Sequence, residues 1–133
     1  MKLGKFDHQY FKSLEGYEKI ISPDENVIYH TIIFNNQKAG IVGYIPTKQK
    51  DAGFVQILIA PEFRGQGLLE QAEDLLAKKY KLKKLYATIS KENIASIRAH
   101  LKVGFKEISE EEQKSLKEKG LLQEDQVRLE KNY

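Results

Sequence analysis

The chain has 133 residues, 41% hydrophobic and 31% charged, with no cysteine and a formal net charge of +3. That size and balance describe a globular chain able to bury one core, and they exclude a disordered polymer, a disulfide scaffold and a thiolate metal site. No apolar run approaches the ~20 residues that span a bilayer, and residues 1–5 lack the apolar stretch of a signal peptide. The expectation is a cytoplasmic protein without a membrane partner.

Leu3, Phe6, Tyr10, Leu14, Tyr17 and Ile21 recur at spacings of three and four, which predicts one face of a helix. Asp7 is its candidate N-cap, Ser22-Pro23 its stop, and Gly16 a weak point. A rudimentary strand at Lys2–Phe6 is expected beside it. Three strand-like runs follow. Val27–Phe34 is β-branched and aromatic, Asn35-Asn36-Gln37 reads as a tight turn, and Ala39–Ile45 runs back until Pro46. Phe54–Ala60, apolar almost throughout, is expected to be a central strand buried on both faces. The short polar connections predict an antiparallel meander.

Pro61 breaks the pattern, and a helix opens directly after Arg64-Gly65-Gln66-Gly67, with Leu68, Ala72, Leu75, Leu76 and Tyr80 on one face. Leu85–Ile89 is the next strand. Asn93 caps a helix running to Lys102, with Ile94, Ile97 and Leu101 as its expected buried stripe and Gly104 as its stop. Phe105–Ile108 is a short strand. Ser109 and Glu112 form a capping box for a helix to Lys119, acidic at its start and basic at its end. Its high charge favours a solvated surface helix over a lid. Gln126–Glu130 is the final strand. Without repeats or linkers, residues 1–133 read as a single α/β (α+β) domain with a mixed, mostly antiparallel sheet.

The segment from 54 to 80 carries the chemical signal. Two glycines let backbone approach an anion closely, and the first N–H groups of a helix have no partner within it. Arg64 adds a positive forked donor. A Gly-x-Gly alone more often makes only a turn. Here it follows an apolar strand and opens an amphipathic helix, the context that a phosphate site needs.

Ile57-Leu58-Ile59-Ala60-Pro61-Glu62-Phe63-Arg64-Gly65-Gln66-Gly67-Leu68 resembles the main acetyl-CoA motif of the GNAT superfamily of N-acetyltransferases. Asn93-Ile94-Ala95-Ser96-Ile97-Arg98-Ala99-His100-Leu101-Lys102-Val103-Gly104-Phe105 resembles that family's second signature, in the right order and one strand later. The resemblance covers roughly residues 27–108. It implies a central sheet of six to seven strands whose fourth and fifth strands, here Phe54–Ala60 and Leu85–Ile89, splay to admit the cofactor. It also implies a cosubstrate, acetyl-CoA, with no metal, and an amine acceptor that attacks the thioester directly. The amides of Arg64, Gly65, Gln66, Gly67, Leu68 and Leu69 would bind the pyrophosphate. The backbone of Ile57, Leu58 and Ile59 would pair with the pantetheine arm, and an N–H near Ile59 would stabilise the developing oxyanion. Asn93, with Ser96 beside it, would contact the pantetheine or cap its helix. A homodimer through the last strands remains open.

Two positions depart from the family pattern. Position 100 usually carries a tyrosine that protonates the leaving thiolate. His100 can also donate a proton near neutral pH, against the plainer reading of a packing histidine. Position 69 usually carries glycine or alanine and here is Leu69. No acidic residue marks a general base; His30, Tyr29 and Tyr44 are candidates. The N-terminal region is shorter than the family's. These departures keep a second function open, a catalytically degenerate acyl-CoA-binding or interaction module. The lysines at 78–84 fall at a helix C-terminus, where cations offset the dipole, which disfavours nucleic acid as partner. His8, His30 and His100 have no metal-ligand spacing.

Overall fold

The computed structural model describes residues 1–20 and 26–133. Asn35 and Asn36 both adopt positive φ (51° and 61°), the geometry of a tight turn matched to strand twist. They join β2 (Ile28–Phe34) to β3 (Gln37–Pro46), and β3 pairs along its length with β4 (Ala52–Ile59). The meander expected from the three runs is present. A short first strand, β1 (Lys2–Gly4), adds to β2. After β4 come α2 (Leu68–Tyr80), β5 (Lys84–Ser90), α3 (Ile94–Lys102), β6 (Lys106–Glu107), α4 (Glu110–Glu118) and β7 (Gln126–Asn132). The result is a seven-stranded sheet of order β1-β2-β3-β4-β5-β7-β6, antiparallel except where β4 meets β5.

Alternation along β3 serves both faces. Val42 and Tyr44 join the larger core, with Val55, Leu68, Leu76, Leu85, Phe105 and Leu129, while Ile41 joins the smaller one with Phe11, Leu14, Tyr29 and Ala60. Among the described residues no helix is long and apolar enough to cross a membrane.

Three element-level expectations are corrected. The first helix is only α1, His8–Ser13, capped by Asp7, whose carboxylate accepts from Tyr10 N–H at 3.1 Å. Leu14 is already extended and Gly16 takes φ 89°, so a separate 3₁₀ turn, Tyr17–Lys19, follows. Phe6, Tyr10, Leu14 and Tyr17 still pack on one core, so the apolar spacing marks a shared destination, reached without a continuous helix. Ile21 and Ser22-Pro23 lie outside the described residues.

The expected stripe of α3 is also displaced. Ile94 and Leu101 are 56% and 45% exposed, Ile97 is half-buried, and His100 is 3% exposed. The helix turns its Ile97–His100 side inward because α2 offers the imidazole a partner there. Finally, Phe54 and residues 56–59 of β4 are only half-buried. β4 is central in the sheet, but much of it borders an opening.

Candidate active site

Pairing between β4 and β5 is brief: Ala52 with Lys84, Gly53 with Leu85 and Phe54 with Tyr86. Beyond Phe54, β4 stays paired to β3 through Ile59, while β5 stays paired to β7 through Ser90. The two strands therefore part, and a cleft of about 670 Å³ opens between them, lined by Gln56, Ile57, Leu58, Arg64, Thr88, Ser90, Asn93, Ser96 and His100. Ala60 N–H bonds the Ala39 carbonyl. By the alternation of strand backbone, Leu58 also faces β3, and the N–H and C=O of Ile57 and Ile59 face the gap. The Leu58 side chain packs on the smaller core.

At the end of β4, a 3₁₀ turn (Pro61–Phe63) leads into the glycine loop. Gly65 and Gly67 take φ 79° and 76°, and a Cβ at either would meet nothing within 4 Å. The loop backbone is thus open to an approaching group. Gly67 starts α2 without any side-chain cap, so the first N–H groups of that helix keep their partial positive charge for a ligand. Leu68 is buried in the core, whereas Leu69 is half-buried and Gln66 exposed. Arg64 folds back, its Nε donating to the Ile59 carbonyl at 3.1 Å. These features fit a pyrophosphate: an open double-glycine turn, free helix amides and an adjacent guanidinium.

Across the cleft, Asn93 caps α3 by accepting from Ser96 N–H at 3.2 Å. His100 Nδ1–H donates to the Ser96 carbonyl at 2.9 Å, and Nε2 lies 3.0 Å from Glu73 Oε2 on α2. A neighbouring Phe105 ring meets the imidazole edge-on. Both members of the pair are buried, at 4% and 1% side-chain exposure. Burial pulls the imidazole down, but the Glu73 bond and charge, with the Ser96 carbonyl, raise it overall. Burial likewise raises Glu73, against the opposing pull of His100. One proton is held between Nε2 and Oε2, and Glu73 Oε1 has no hydrogen-bond partner among the described residues.

The profile of the acetyltransferase (GNAT) family matches residues 3–105. This chain belongs to the GNAT family. No curated protein sequence matches it significantly. Among solved structures, it is similar to the Campylobacter jejuni N-acetyltransferase PseH in complex with acetyl coenzyme A, with 13% identity over 98% of this chain and 97% of that one at a TM-score of 0.70. A point mutant of the Vibrio cholerae spermidine N-acetyltransferase SpeG gives 19% identity over 99% and 95%, also at 0.70. An IAA acetyltransferase from Bacillus cereus gives 21% over 82% and 79%, at 0.59. At these identities the likeness is one of fold, and the splayed sheet is that GNAT fold.

Of the residues in the GNAT signatures, Ile57, Leu58, Arg64, Asn93, Ser96 and His100 line the one cleft, while Ile59 ends β4 and residues 65–69 follow Arg64 into the start of α2 without lining it. The other candidates lie elsewhere. His30 donates from Nδ1 to the Gly4 carbonyl at 3.3 Å and accepts at Nε2 from Tyr80, in a separate hollow with Phe6 and His8. Tyr29 and Tyr44 sit in the two cores. Two residues escape the sequence reading. Glu73 has a trace, being an acidic position three and four residues before the buried Leu76 and Ala77. Arg128, between the buried Val127 and Leu129, alternates onto the opposite face of β7. Packed near α4, it is 8% exposed, and the backbone N–H of the same residue donates to Gln113 of that helix at 3.2 Å.

Proposed function

We propose that this GNAT chain is an N-acetyltransferase, residues 1–133 acting as one domain and transferring acetyl from acetyl-CoA to a primary amine by direct attack. The observation that carries this reading is the parting of β4 and β5 beyond Phe54 and Tyr86, beside an uncapped, glycine-led helix start. When bound, acetyl-CoA supplies the acetyl group as an activated thioester. The amides from Arg64 to Leu69 hold the pyrophosphate, and Gly65 and Gly67 keep side chains out of its way. Ile57 and Ile59 offer backbone groups to the pantetheine arm, with Leu58 flooring the cleft and Asn93 and Ser96 on the opposite wall. An N–H at Ile59 is oriented towards the gap, where a fixed donor stabilises developing negative charge.

His100 takes the place of the usual tyrosine. Burial opposes its protonated form, Glu73 and the Ser96 carbonyl favour it and prevail, and the ring lines the cleft. We assign it the proton for the leaving thiolate, released when the imidazole gives up one of its two bonds. The second reading, a module that binds acyl-CoA without turnover, draws on the same fact: both ring nitrogens are engaged at rest.

Thermal melting with acetyl-CoA, free CoA and ATP tests the site. A ligand at ~100 times its Kd adds roughly 2.7 kcal/mol, a rise of several degrees at this size. The expected result is a rise with acetyl-CoA and CoA but not ATP, followed by thiol release with at least one amine of a panel. A rise without release under any amine favours the binding module, and no rise at all removes the cleft from consideration.

A further inference from the structure

A second cavity, of about 410 Å³, is lined by Thr47, Lys48, Phe54, Tyr86, Leu116 and Arg128, among others; Phe54 and Tyr86 are the last pair before β4 and β5 part. Its notable member is Arg128. The guanidinium lies 4.8 Å from the centre of the Phe54 ring and 5.8 Å from that of Tyr86. Nε donates to Thr88 Oγ1 at 2.9 Å. Among the described residues no carboxylate lies within ion-pair distance of it. A cation taken out of water costs several kcal/mol unless it is paired, and two aromatic faces offset only part of that. With Nε committed to Thr88, the Nη groups form a planar fork that has no hydrogen-bond partner among the described residues.

We propose that Arg128 binds a carboxylate on the acceptor, so that the acceptor is a small compound carrying both an amine and a carboxylate. The inference rests on the acetyltransferase reading and names its substrate class. Thr88 lines the cleft and accepts from Arg128 of the second cavity, and on β4 Gln56 of the cleft lies two residues beyond Phe54 of that cavity. That is roughly 7 Å along a strand, within reach of one small molecule. A planar monoanion fits a single guanidinium in two parallel bonds. Glu112 on α4 lines the same cavity and opposes a more highly charged ligand, leaving Lys48 as the other cation on its wall.

The test uses matched pairs: glycine, β-alanine, 4-aminobutyrate and phenylalanine, each against its own carboxamide, with acetyl-CoA and thiol release as readout. The expected result is an acid preferred over its amide by about tenfold or more in kcat/KM, the range of a charge-assisted pair. Arg128→Gln abolishes that preference and keeps the melting shift with acetyl-CoA, which also reports that the variant is folded. Acids used no better than amides, or a preference that survives Arg128→Gln, overturns the proposal. If the wild type binds no acetyl-CoA, the acetyltransferase reading fails separately. The anion site is then read by NMR titration with N-acetylglycine and N-acetylphenylalanine against their carboxamides. Binding of the acids alone, lost in Arg128→Gln, supports the site, and equal or absent binding overturns it.

Discussion

The two ends of β4 work by different chemistry. From Ile57 onward the strand offers backbone: the N–H and C=O of Ile57 and the N–H of Ile59, turned away from β3, then two glycines whose open side is the site. At Phe54 it offers a side chain, which joins Tyr86 from β5 and Arg128 from β7 into a cage. Backbone chemistry can be encoded in one contiguous stretch, so it leaves a motif. The cage draws single residues from three strands and leaves none. An acceptor pocket can change by substituting Arg128 or Tyr86 without touching the thioester end.

The sharpest way to break that division is at His100, a side chain working in the backbone half. His100→Ala is expected to lower kcat by about 10²-fold or more, the usual scale for a positioned proton donor, with acetyl-CoA affinity held within about threefold. Because Glu73 is left buried and alone, that variant also loses stability, by roughly 3–5 kcal/mol. The double variant His100→Leu, Glu73→Leu removes both polar partners and is expected to recover most of the melting temperature without recovering turnover. Full activity in either variant would return His100 to a packing role.

Next in size is the loop. Gly67→Ala places a methyl in open space at φ 76°, costing about 1 kcal/mol of folding for a left-handed non-glycine residue. If the loop amides hold a pyrophosphate, acetyl-CoA affinity falls by about tenfold or more. Calorimetry with acetyl-CoA on the folded variant checks it, and an unchanged Kd would move the phosphate elsewhere.

The smallest expected effect is on pH. His100 is raised in the fold, so its contribution is complete below the unfolded value of about 6.5 and is lost as pH rises through the folded value. Glu73, raised by burial, adds the same sign, since ionising it in the fold is unfavourable. Asp74 and Lys131 act on Glu73 electrostatically but belong to both proteins being compared. His30, lowered by burial, runs the opposite way and is likewise common to both. The wild type is expected to lose more melting temperature between pH 6 and 9 than the His100→Leu, Glu73→Leu variant. Parallel curves would mean that the pair does not titrate in that window.

Most of the sheet was legible because each strand run has its own punctuation: Asn35-Asn36, Pro46, Pro61, Gly104 and Gly120. The loop was legible because its chemistry is local. The first helix misled because Leu3, Phe6, Tyr10, Leu14 and Tyr17 keep a helical spacing while belonging to a strand, a loop, a helix, its cap and a 3₁₀ turn. α3 misled because apolar count outvoted a histidine whose partner, Glu73, lies 27 residues away. Arg128 followed the alternation rule correctly, but α4 packs over the side it points to, and strand periodicity cannot report what covers a face.

The position of β7 has a consequence for how the chain folds. β2 to β4 are sequential neighbours joined by short connections, so their contacts are close in sequence and form early. β5 is different: it pairs with β4 at only three positions and with β7 at seven. Until β7 slots between β5 and β6, β5 has one edge wholly bare and the other paired at three positions only, and the Arg128 cage lacks its cation. The far wall of the cleft is thus assembled by the last strand to arrive, and a chain that stalls before that step displays a sticky, unpaired strand next to a finished meander.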